Sequence, residues 1–136
     1  MNLEKRVTNL YDALTSAELD QKVGIRVTHL TGTDNYSFFV AEIAPHKKIP
    51  AHYHKAGVEI YQIVEGNGVM YTGNRNLDES ISWNPPLQLQ QGDCFTVHEG
   101  EVHQFFNDSG NKIIVIFGCS KSHLSKDRFF VEGFYN

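Results

Sequence analysis

The 136-residue sequence has few cysteines, no long apolar segment and no excess of positive charge. Its two cysteines, Cys94 and Cys119, allow at most one disulfide and form no CxxC pair. We therefore expect two small, buried hydrophobic side chains, and neither a disulfide scaffold nor a thiolate metal site. The longest strictly apolar run, residues 113–117, is far shorter than the roughly 20 residues that a membrane-spanning helix needs.

The charge balance disfavours two classes of binding partner. Sixteen acidic residues against 12 basic ones give a formal net charge of −4. This balance disfavours nucleic-acid phosphates and anionic membranes as partners. The amino terminus carries charges without the apolar core of a secretory signal, so we expect a cytoplasmic protein. With 40% hydrophobic residues, the length predicts one packed domain.

Apolar residues near the amino terminus recur with the period of a helix. The spacing predicts a short amphipathic helix that ends near residue 15, with one buried face. We expect residues 1–22 to form this helical segment and residues 23–136 to form the main domain. The residues on the expected buried face are Leu3, Val7, Leu10, Tyr11 and Leu14.

From residue 24 onward, short β-branched and aromatic runs alternate with turn residues. At least eight strands without intervening helices are predicted, which is typical of an all-β sandwich, jelly roll or small barrel. A one-residue error in strand register would exchange Phe38 for Phe39 and Phe105 for Phe106. Strand alternation predicts an apolar interior made by Phe38, Val40, Ile63, Phe105, Val115 and Phe117.

Several histidines and one glutamate form a candidate metal site. Residues i and i+2 of a strand share a face, so His52 and His54 can point inward together while Tyr53 points away. A short turn is then expected to return Glu59 on the neighbouring strand, facing the same interior. His103 begins a later apolar run and is the best candidate for a fourth ligand.

The first half of this pattern resembles a motif of the cupin superfamily. That motif reads Gly, five residues, HxH, three or four residues, Glu, six residues and Gly. His52, His54, Glu59 and Gly66 fit it, while His46 stands in place of the leading glycine.

The second cupin motif reads Gly, five residues, Pro-x-Gly, two residues, His, three residues and Asn. Gly92, Gly100, His103 and Asn107 fall in register, with His98 in place of the proline. The resemblance covers about residues 40–118. It implies an all-β jelly-roll barrel with a central metal held by His52, His54, Glu59 and His103.

The expected ligand set restricts the metal. Three imidazoles and one carboxylate suit divalent Fe, Mn, Ni, Cu or Zn, and the lack of thiolate disfavours a structural zinc. Octahedral coordination would leave two positions for water, substrate or dioxygen. The resemblance therefore implies a metal-dependent enzyme acting on a small metabolite, as a dioxygenase or as an isomerase or lyase. The alternative is a non-catalytic, metal-containing module in which the same barrel and metal merely hold a small molecule.

Tyr61 is the candidate catalytic side chain. It follows Glu59 by two residues and so shares its inward face, where a phenol could position a substrate or exchange a proton. Residues 59–61 look like the corresponding segment of small cupin lyases that act on dimethylsulfoniopropionate. A metal would have to lower the tyrosine pKa from about 10 for a role as base. Core packing is the alternative.

The remaining polar and glycine residues are expected to have structural roles. Gly66, Gly92 and Gly100 are expected in turns with positive φ, and Asn107 is expected to form hydrogen bonds at a strand end. Surface or turn positions are predicted for His29, His46, His98 and His123, with His98 closest to the pocket mouth.

Residues 67–91 are expected to form an extended hairpin between the two motifs. Exposed aromatic residues near this hairpin and at the carboxyl end would suit a homodimer interface. They are Trp83, Phe129, Phe130, Phe134 and Tyr135.

Overall fold

The computed structural model describes residues 6–134. Within this range no helix is long and apolar enough to cross a membrane. The elements in chain order are α1 (Leu10–Ser16), β1 (Leu19–Asp20), β2 (Ile25–Gly32), β3 (Ser37–Ile43), β4 (His52–Tyr53), β5 (Glu59–Glu65), β6 (Asn67–Arg75), β7 (Ile81–Trp83), β8 (Leu87–Gln90), β9 (Cys94–Val97), β10 (Val102–Phe106), β11 (Ile113–Cys119), a 3-10 helix (Lys121–Leu124) and β12 (Phe129–Phe130).

The strands form two antiparallel sheets. One has the order β1-β2-β3-β11-β5-β9 and the other β12-β4-β10-β6-β7, with β8 also paired to β6. Consecutive strands such as β4 and β5 lie in different sheets, so the chain crosses repeatedly over the shared interior. This arrangement confirms the predicted all-β jelly roll with one short amino-terminal helix.

In strand β3 the residues predicted to line the barrel interior are wrong. Phe38 is 44% exposed, whereas Phe39 is buried in the barrel, so the register is the alternative one. Val40 is buried on the opposite face, against Leu14 of α1 and Leu30 of β2. The alternation itself holds, but burial on both faces conceals which one lines the barrel: Phe39 faces the barrel, and Val40 is buried because the amino-terminal helix packs over the other face. Interior positions are confirmed for Ile63, Phe105, Val115 and Phe117.

The amino-terminal helix is shorter than predicted. Asn9 caps it, since Oδ1 accepts hydrogen bonds from the backbone N–H groups of residues 11 and 12 at 2.9 and 3.3 Å. Val7 precedes the cap and is 88% exposed, so its predicted place on the buried face is wrong. Leu3 lies outside the described residues. The expected boundary at residue 22 falls in the turn between β1 and β2.

The two cysteines are free, as expected. Cys119 is buried in β11. Cys94 is exposed, so its predicted burial is wrong. It begins β9, which is the last strand of its sheet among residues 6–134.

The segment between the motifs forms the predicted hairpin, in which β6 pairs with both β7 and β8. The chain itself covers part of the expected aromatic surface. Trp83 packs edge-on against Phe134 at 5.8 Å between ring centroids, and Phe129 stacks on a tyrosine of β4. Phe130 is 60% exposed. Tyr135 lies outside the described residues.

Two turn positions have left-handed backbone conformations. Gly66 has φ of 88°, and a Cβ there would lie 2.8 Å from the carbonyl oxygen of Lys112. The expected turn glycine is therefore confirmed. His46, which replaces the leading motif glycine, also has a positive φ, of 63°. The turn thus keeps a conformation that glycine adopts at lower cost.

Asn107 connects the end of β10 to two neighbouring loops. Its Nδ2 donates to the carbonyl oxygens of Ile43, Ala44 and Asn111 at 3.0, 3.2 and 2.7 Å. Its Oδ1 accepts hydrogen bonds from the backbone and hydroxyl of Ser109. The predicted strand-end role is confirmed, and the fully buried amide fixes the loop that follows β10.

Asn107→Ala is expected to lower the free energy of unfolding by about 3 kcal/mol, because it leaves buried carbonyl groups without donors. Urea unfolding followed by circular dichroism measures the change. Asn67→Ala, at an exposed position in β6, is the control and is expected to change stability by less than about 0.5 kcal/mol. Equal effects of the two substitutions would contradict this role of Asn107.

Candidate metal centre

Strand pairing places three histidines together. His52 of β4 lies directly opposite His103 of β10, so their side chains leave the same face of the sheet. His54 follows two residues later, and its ring centroid lies 4.9 Å from that of His52 and 5.3 Å from that of His103. Tyr53 packs in a cluster on the other face. The predicted alternation is confirmed here.

Glu59 reaches the same point from the opposite sheet. It begins β5, which pairs with β9 and β11 and not with β4. The expectation that it returns on a neighbouring strand is therefore wrong, because the loop after His54 crosses between the sheets. Its Oε2 lies 2.9 Å from His54 Nε2, and the side chain is buried.

The three imidazoles share one hydrogen-bonding pattern. Nδ1 of His52, His54 and His103 lies 2.7, 2.6 and 3.3 Å from the backbone carbonyl oxygens of residues 50, 127 and 101. Since a carbonyl oxygen can only accept, each Nδ1 carries the proton, and a neutral ring keeps a lone pair on Nε2. The buried Nε2 atoms of His54 and His103 have no hydrogen-bond partner among residues 6–134.

These atoms fit a metal ion. Two overlapping groups of ligand atoms each lie within 4.8 Å, and both contain His54; one adds His52 and His103, the other Glu59 and His123. Ligands about 2.1 Å from one octahedral metal and at right angles lie about 3 Å apart, close to the 2.9 Å between His54 Nε2 and Glu59 Oε2. The chain therefore brings together all four ligands predicted from the sequence.

His123 is the main residue that sequence reasoning missed. It is 2% exposed, so its predicted surface position is wrong. Nδ1 lies 3.1 Å from Glu59 Oε2, and Nε2 lies 2.6 Å from the carbonyl oxygen of Ala56. The ring stacks on His54 with centroids 3.9 Å apart. No local pattern signals this burial, which arises because the 3-10 helix folds against the loop between β4 and β5.

Two other histidine predictions also need correction. His98 is exposed and does not line the pocket, so its expected place at the mouth is wrong. His29 lies half-buried within β2, with its ring edge-on to Phe39. His46 lies in an exposed turn, as predicted.

Asp127 ties the carboxyl-terminal segment to the candidate centre. Its carboxylate accepts hydrogen bonds from the backbone N–H groups of Lys55 and Ala56 at 2.7 and 3.1 Å. Its own carbonyl oxygen accepts from Nδ1 of His54. One residue thus holds both a candidate ligand and the loop that leads to Glu59.

Burial divides the ionisable groups into neutral rings and a charged pair. Burial lowers the pKa of His52 to about 3 and that of His103 to about 4. Burial raises the pKa of Glu59, but the hydrogen bond from His123 is the largest opposing cause, and the pKa lies well below its usual range. For His123, burial lowers the pKa, but the bonds to Glu59 and Ala56 outweigh it and raise the pKa above its ordinary value.

Tyr61 lies at the same end of the barrel. It is buried, and its ring centroid is 6.1 Å from that of His103. Burial and the neighbouring Glu59 carboxylate raise the pKa of Tyr61 well above its ordinary value. The side chain is therefore a neutral phenol that can donate a hydrogen bond.

A cavity of about 670 Å³ opens onto these residues. Its lining includes the polar side chains of His52, His54, Glu59, Tyr61 and His123. The walls are largely apolar and include Ile25, Val27 and Phe117, while Glu18, Asp20 and Arg128 also border the cavity. This volume is in the range of small-molecule sites, which are mostly apolar with a few convergent polar groups.

Protein treated with chelator is expected to lose stability as the pH falls from about 6 to about 4.5. In this window the unfolded imidazoles bind protons near pH 6.5, whereas His52 and His103 stay neutral because their pKa values are about 3 and 4. Each such ring contributes a slope of up to about 1.4 kcal/mol per pH unit. The Glu59 pair with His123 persists there, because its carboxylate pKa is lowered and its imidazole pKa is raised.

Urea unfolding across this pH range measures the slope. His103→Gln is expected to reduce it by about one proton, and His98→Gln, at an exposed position, is expected to leave it unchanged. A slope that neither substitution alters would contradict the assignment of neutral buried imidazoles.

Comparison with known proteins gives a consistent family and fold. The family model described as "Cupin domain" matches residues 39–117. No curated protein matches the chain.

Solved structures match across most of the chain. An uncharacterized conserved protein with a double-stranded beta-helix domain from Klebsiella pneumoniae has a TM-score of 0.65 at 17% identity, with 80% of this chain and 85% of that one covered. Oxalate oxidase in complex with glycolate has a TM-score of 0.64 at 22% identity, covering 79% and 56%. The capsular polysaccharide assembling protein CapF from Staphylococcus aureus has a TM-score of 0.70 at 17% identity, covering 86% and 34%. These TM-scores establish a common fold.

Proposed function

Because the chain belongs to the cupin family, we propose that it is a metal-dependent enzyme that acts on a small metabolite. The proposed metal ligands are His52, His54, Glu59 and His103. We propose a divalent transition metal, one of Fe, Mn, Ni, Cu or Zn, because three imidazoles and a carboxylate suit these ions. The barrel domain is proposed to span residues 23–136, with the helical segment at residues 1–22.

The observation that carries this proposal is the common orientation of the three imidazoles. Each donates its Nδ1 proton to a backbone carbonyl, which leaves Nε2 free to bind a metal. Two of these Nε2 atoms are buried without a partner among the described residues. An unsatisfied buried nitrogen is costly, and a bound cation would remove that cost.

When bound, a metal with four protein ligands supplies a Lewis acid, and on iron or copper a site for dioxygen chemistry. The chain's own residues would orient the substrate. Tyr61, a neutral phenol that borders the cavity, would donate a hydrogen bond to a bound substrate, and apolar lining residues such as Ile25, Val27 and Phe117 would contact its apolar part. A substrate with an oxygen-bearing head and an apolar body matches this division.

Two reaction classes suit the site. A dioxygenase would use both open positions, whereas an isomerase or lyase would use the Lewis acid with Tyr61 as a proton donor. Oxalate oxidase shares the fold and was solved with glycolate, a small oxygen-rich acid, which supports a small-molecule substrate here too. The chain spans 56% of that oxidase and 34% of CapF. Any comparison of their activities with this chain therefore rests on the shared fold alone.

We further propose a cytoplasmic homodimer. The net charge of −4 does not favour nucleic acid or membranes as partners. Exposed apolar residues near the carboxyl end, Phe130 and Phe134, offer surface for a second subunit.

Metal analysis by plasma mass spectrometry tests the proposal. Protein purified without chelator or added metal is expected to contain one metal ion per chain. The His52→Ala/His54→Ala double variant is expected to lose it, and His98→Ala, which replaces an exposed histidine, is expected to retain it.

The identity of the metal directs the activity assay. Iron or copper leads to oxygen-uptake measurements, and manganese, nickel or zinc leads to assays of isomerase and lyase reactions. Metal that is absent from the wild-type protein, or retained in the double variant, would refute the proposed site. Metal absent from both proteins would make the non-catalytic interpretation the better description.

A further inference from the structure

We propose that His123 is a positioning residue, which holds the Glu59 carboxylate in the orientation that faces the three imidazoles. The inference rests on the proposed function, because it takes Glu59 as a metal ligand. Nothing in the motif pattern includes His123, which lies 16 residues beyond the last motif position, Asn107.

The hydrogen bonds of His123 differ from those of the three candidate ligands. His54 Nε2 lies 2.9 Å from Glu59 Oε2 but makes no hydrogen bond with it, whereas both ring nitrogens of His123 are hydrogen-bonded. Its Nε2 lies 2.6 Å from the carbonyl oxygen of Ala56, which can only accept, so Nε2 donates. Its Nδ1 lies 3.1 Å from Oε2 of Glu59, and the carboxylate is also an acceptor. Both ring nitrogens therefore act as donors, and neither offers a lone pair to a metal. His123 therefore donates a hydrogen bond to the Glu59 carboxylate and does not coordinate the cation.

The ring of His123 is held firmly. It is parallel to the ring of His54, with a centroid distance of 3.9 Å and an interplanar angle of 6°. It sits on a 3-10 helix whose first turn is capped by the hydroxyl of Ser120. The carboxylate of Asp127 ties the same segment to the loop after β4. A donor held in place by packing on all these sides can fix its acceptor without losing much further side-chain freedom.

Glu59 needs such a partner because its position alone does not fix its carboxylate. A glutamate side chain has three rotatable bonds, and only one oxygen needs to face the imidazoles. The bond to His123 directs Oε2, which lies 2.9 Å from His54 Nε2. The bond from Nε2 to Ala56 also anchors the crossover between His54 and Glu59. Loss of a hydrogen bond that orients a metal ligand typically reduces metal affinity by about 10- to 100-fold.

Three substitutions separate the two hydrogen bonds. His123→Asn keeps a donor near the position of Nδ1, facing Glu59, while His123→Gln places its donor near the position of Nε2, facing Ala56. His123→Leu removes both. Binding of Co²⁺ to chelator-treated protein is measured by calorimetry, and its visible absorption reports the coordination geometry. His98→Ala is the matched control at an exposed histidine.

His123→Leu and His123→Gln are expected to weaken Co²⁺ binding by about 10- to 100-fold and to change the absorption spectrum. His123→Asn is expected to stay within about threefold of the wild type and to keep its spectrum. Wild-type affinity in His123→Leu would overturn the proposal, and so would rescue by glutamine but not by asparagine. If His123→Leu does not fold, the comparison of Asn with Gln decides alone.

A measurement without metal separates this inference from the proposed function. In the nuclear magnetic resonance spectrum of chelator-treated protein, the Nδ1 proton of His123 is expected to exchange slowly and to disappear in Glu59→Ala. Failure of Co²⁺ to bind the wild type would refute the proposed metal site. A slowly exchanging Nδ1 proton that depends on Glu59 would still establish the contact between His123 and Glu59. Absence of the proton signal would overturn the positioning role whatever the metal does.

Discussion

One repeated interaction organises the candidate metal centre, namely the hydrogen bond from an imidazole Nδ1 to a backbone carbonyl. For His52 and His103 the acceptor is the carbonyl oxygen two residues earlier in the chain. The backbone just before each strand therefore fixes the orientation of the ring. For His54 the acceptor is Asp127, 73 residues away in sequence. Because carbonyl oxygens only accept, all three rings share one tautomer, and their Nε2 atoms face the same interior.

The jelly-roll topology supplies the rest of the ligand set. Its antiparallel pairing puts His52 beside His103 on one sheet, while the crossover after His54 places Glu59 on the other. The carboxylate therefore meets the imidazoles at a buried site between the sheets, where a low dielectric strengthens its interactions. The carboxyl-terminal segment completes the arrangement, since His123 and Asp127 hold Glu59, His54 and the loop between them.

The sequence predicts the features that depend on local spacing. Two-residue alternation places His52 and His54 on one face, and the motif intervals bring Glu59 and His103 to the same site. It does not predict features that depend on distant packing. Phe39 and not Phe38 faces the barrel, because Val40, which shares the face of Phe38, is buried by packing against the distant α1 and not by the barrel interior. His123 is buried because a 3-10 helix far along the chain packs against the β4–β5 loop, and no periodicity in four residues could reveal that contact.

Anomalous diffraction from crystals grown with the native metal, recorded at its absorption edge, is the most direct test of the ligand set. A single strong peak is expected within about 2.0–2.3 Å of Nε2 of His52, His54 and His103 and of one oxygen of Glu59. His123 is expected to remain outside this distance. A peak bound through any Nδ1, a peak beside His98 or His123 without the other ligands, or no peak at the barrel centre would contradict the account.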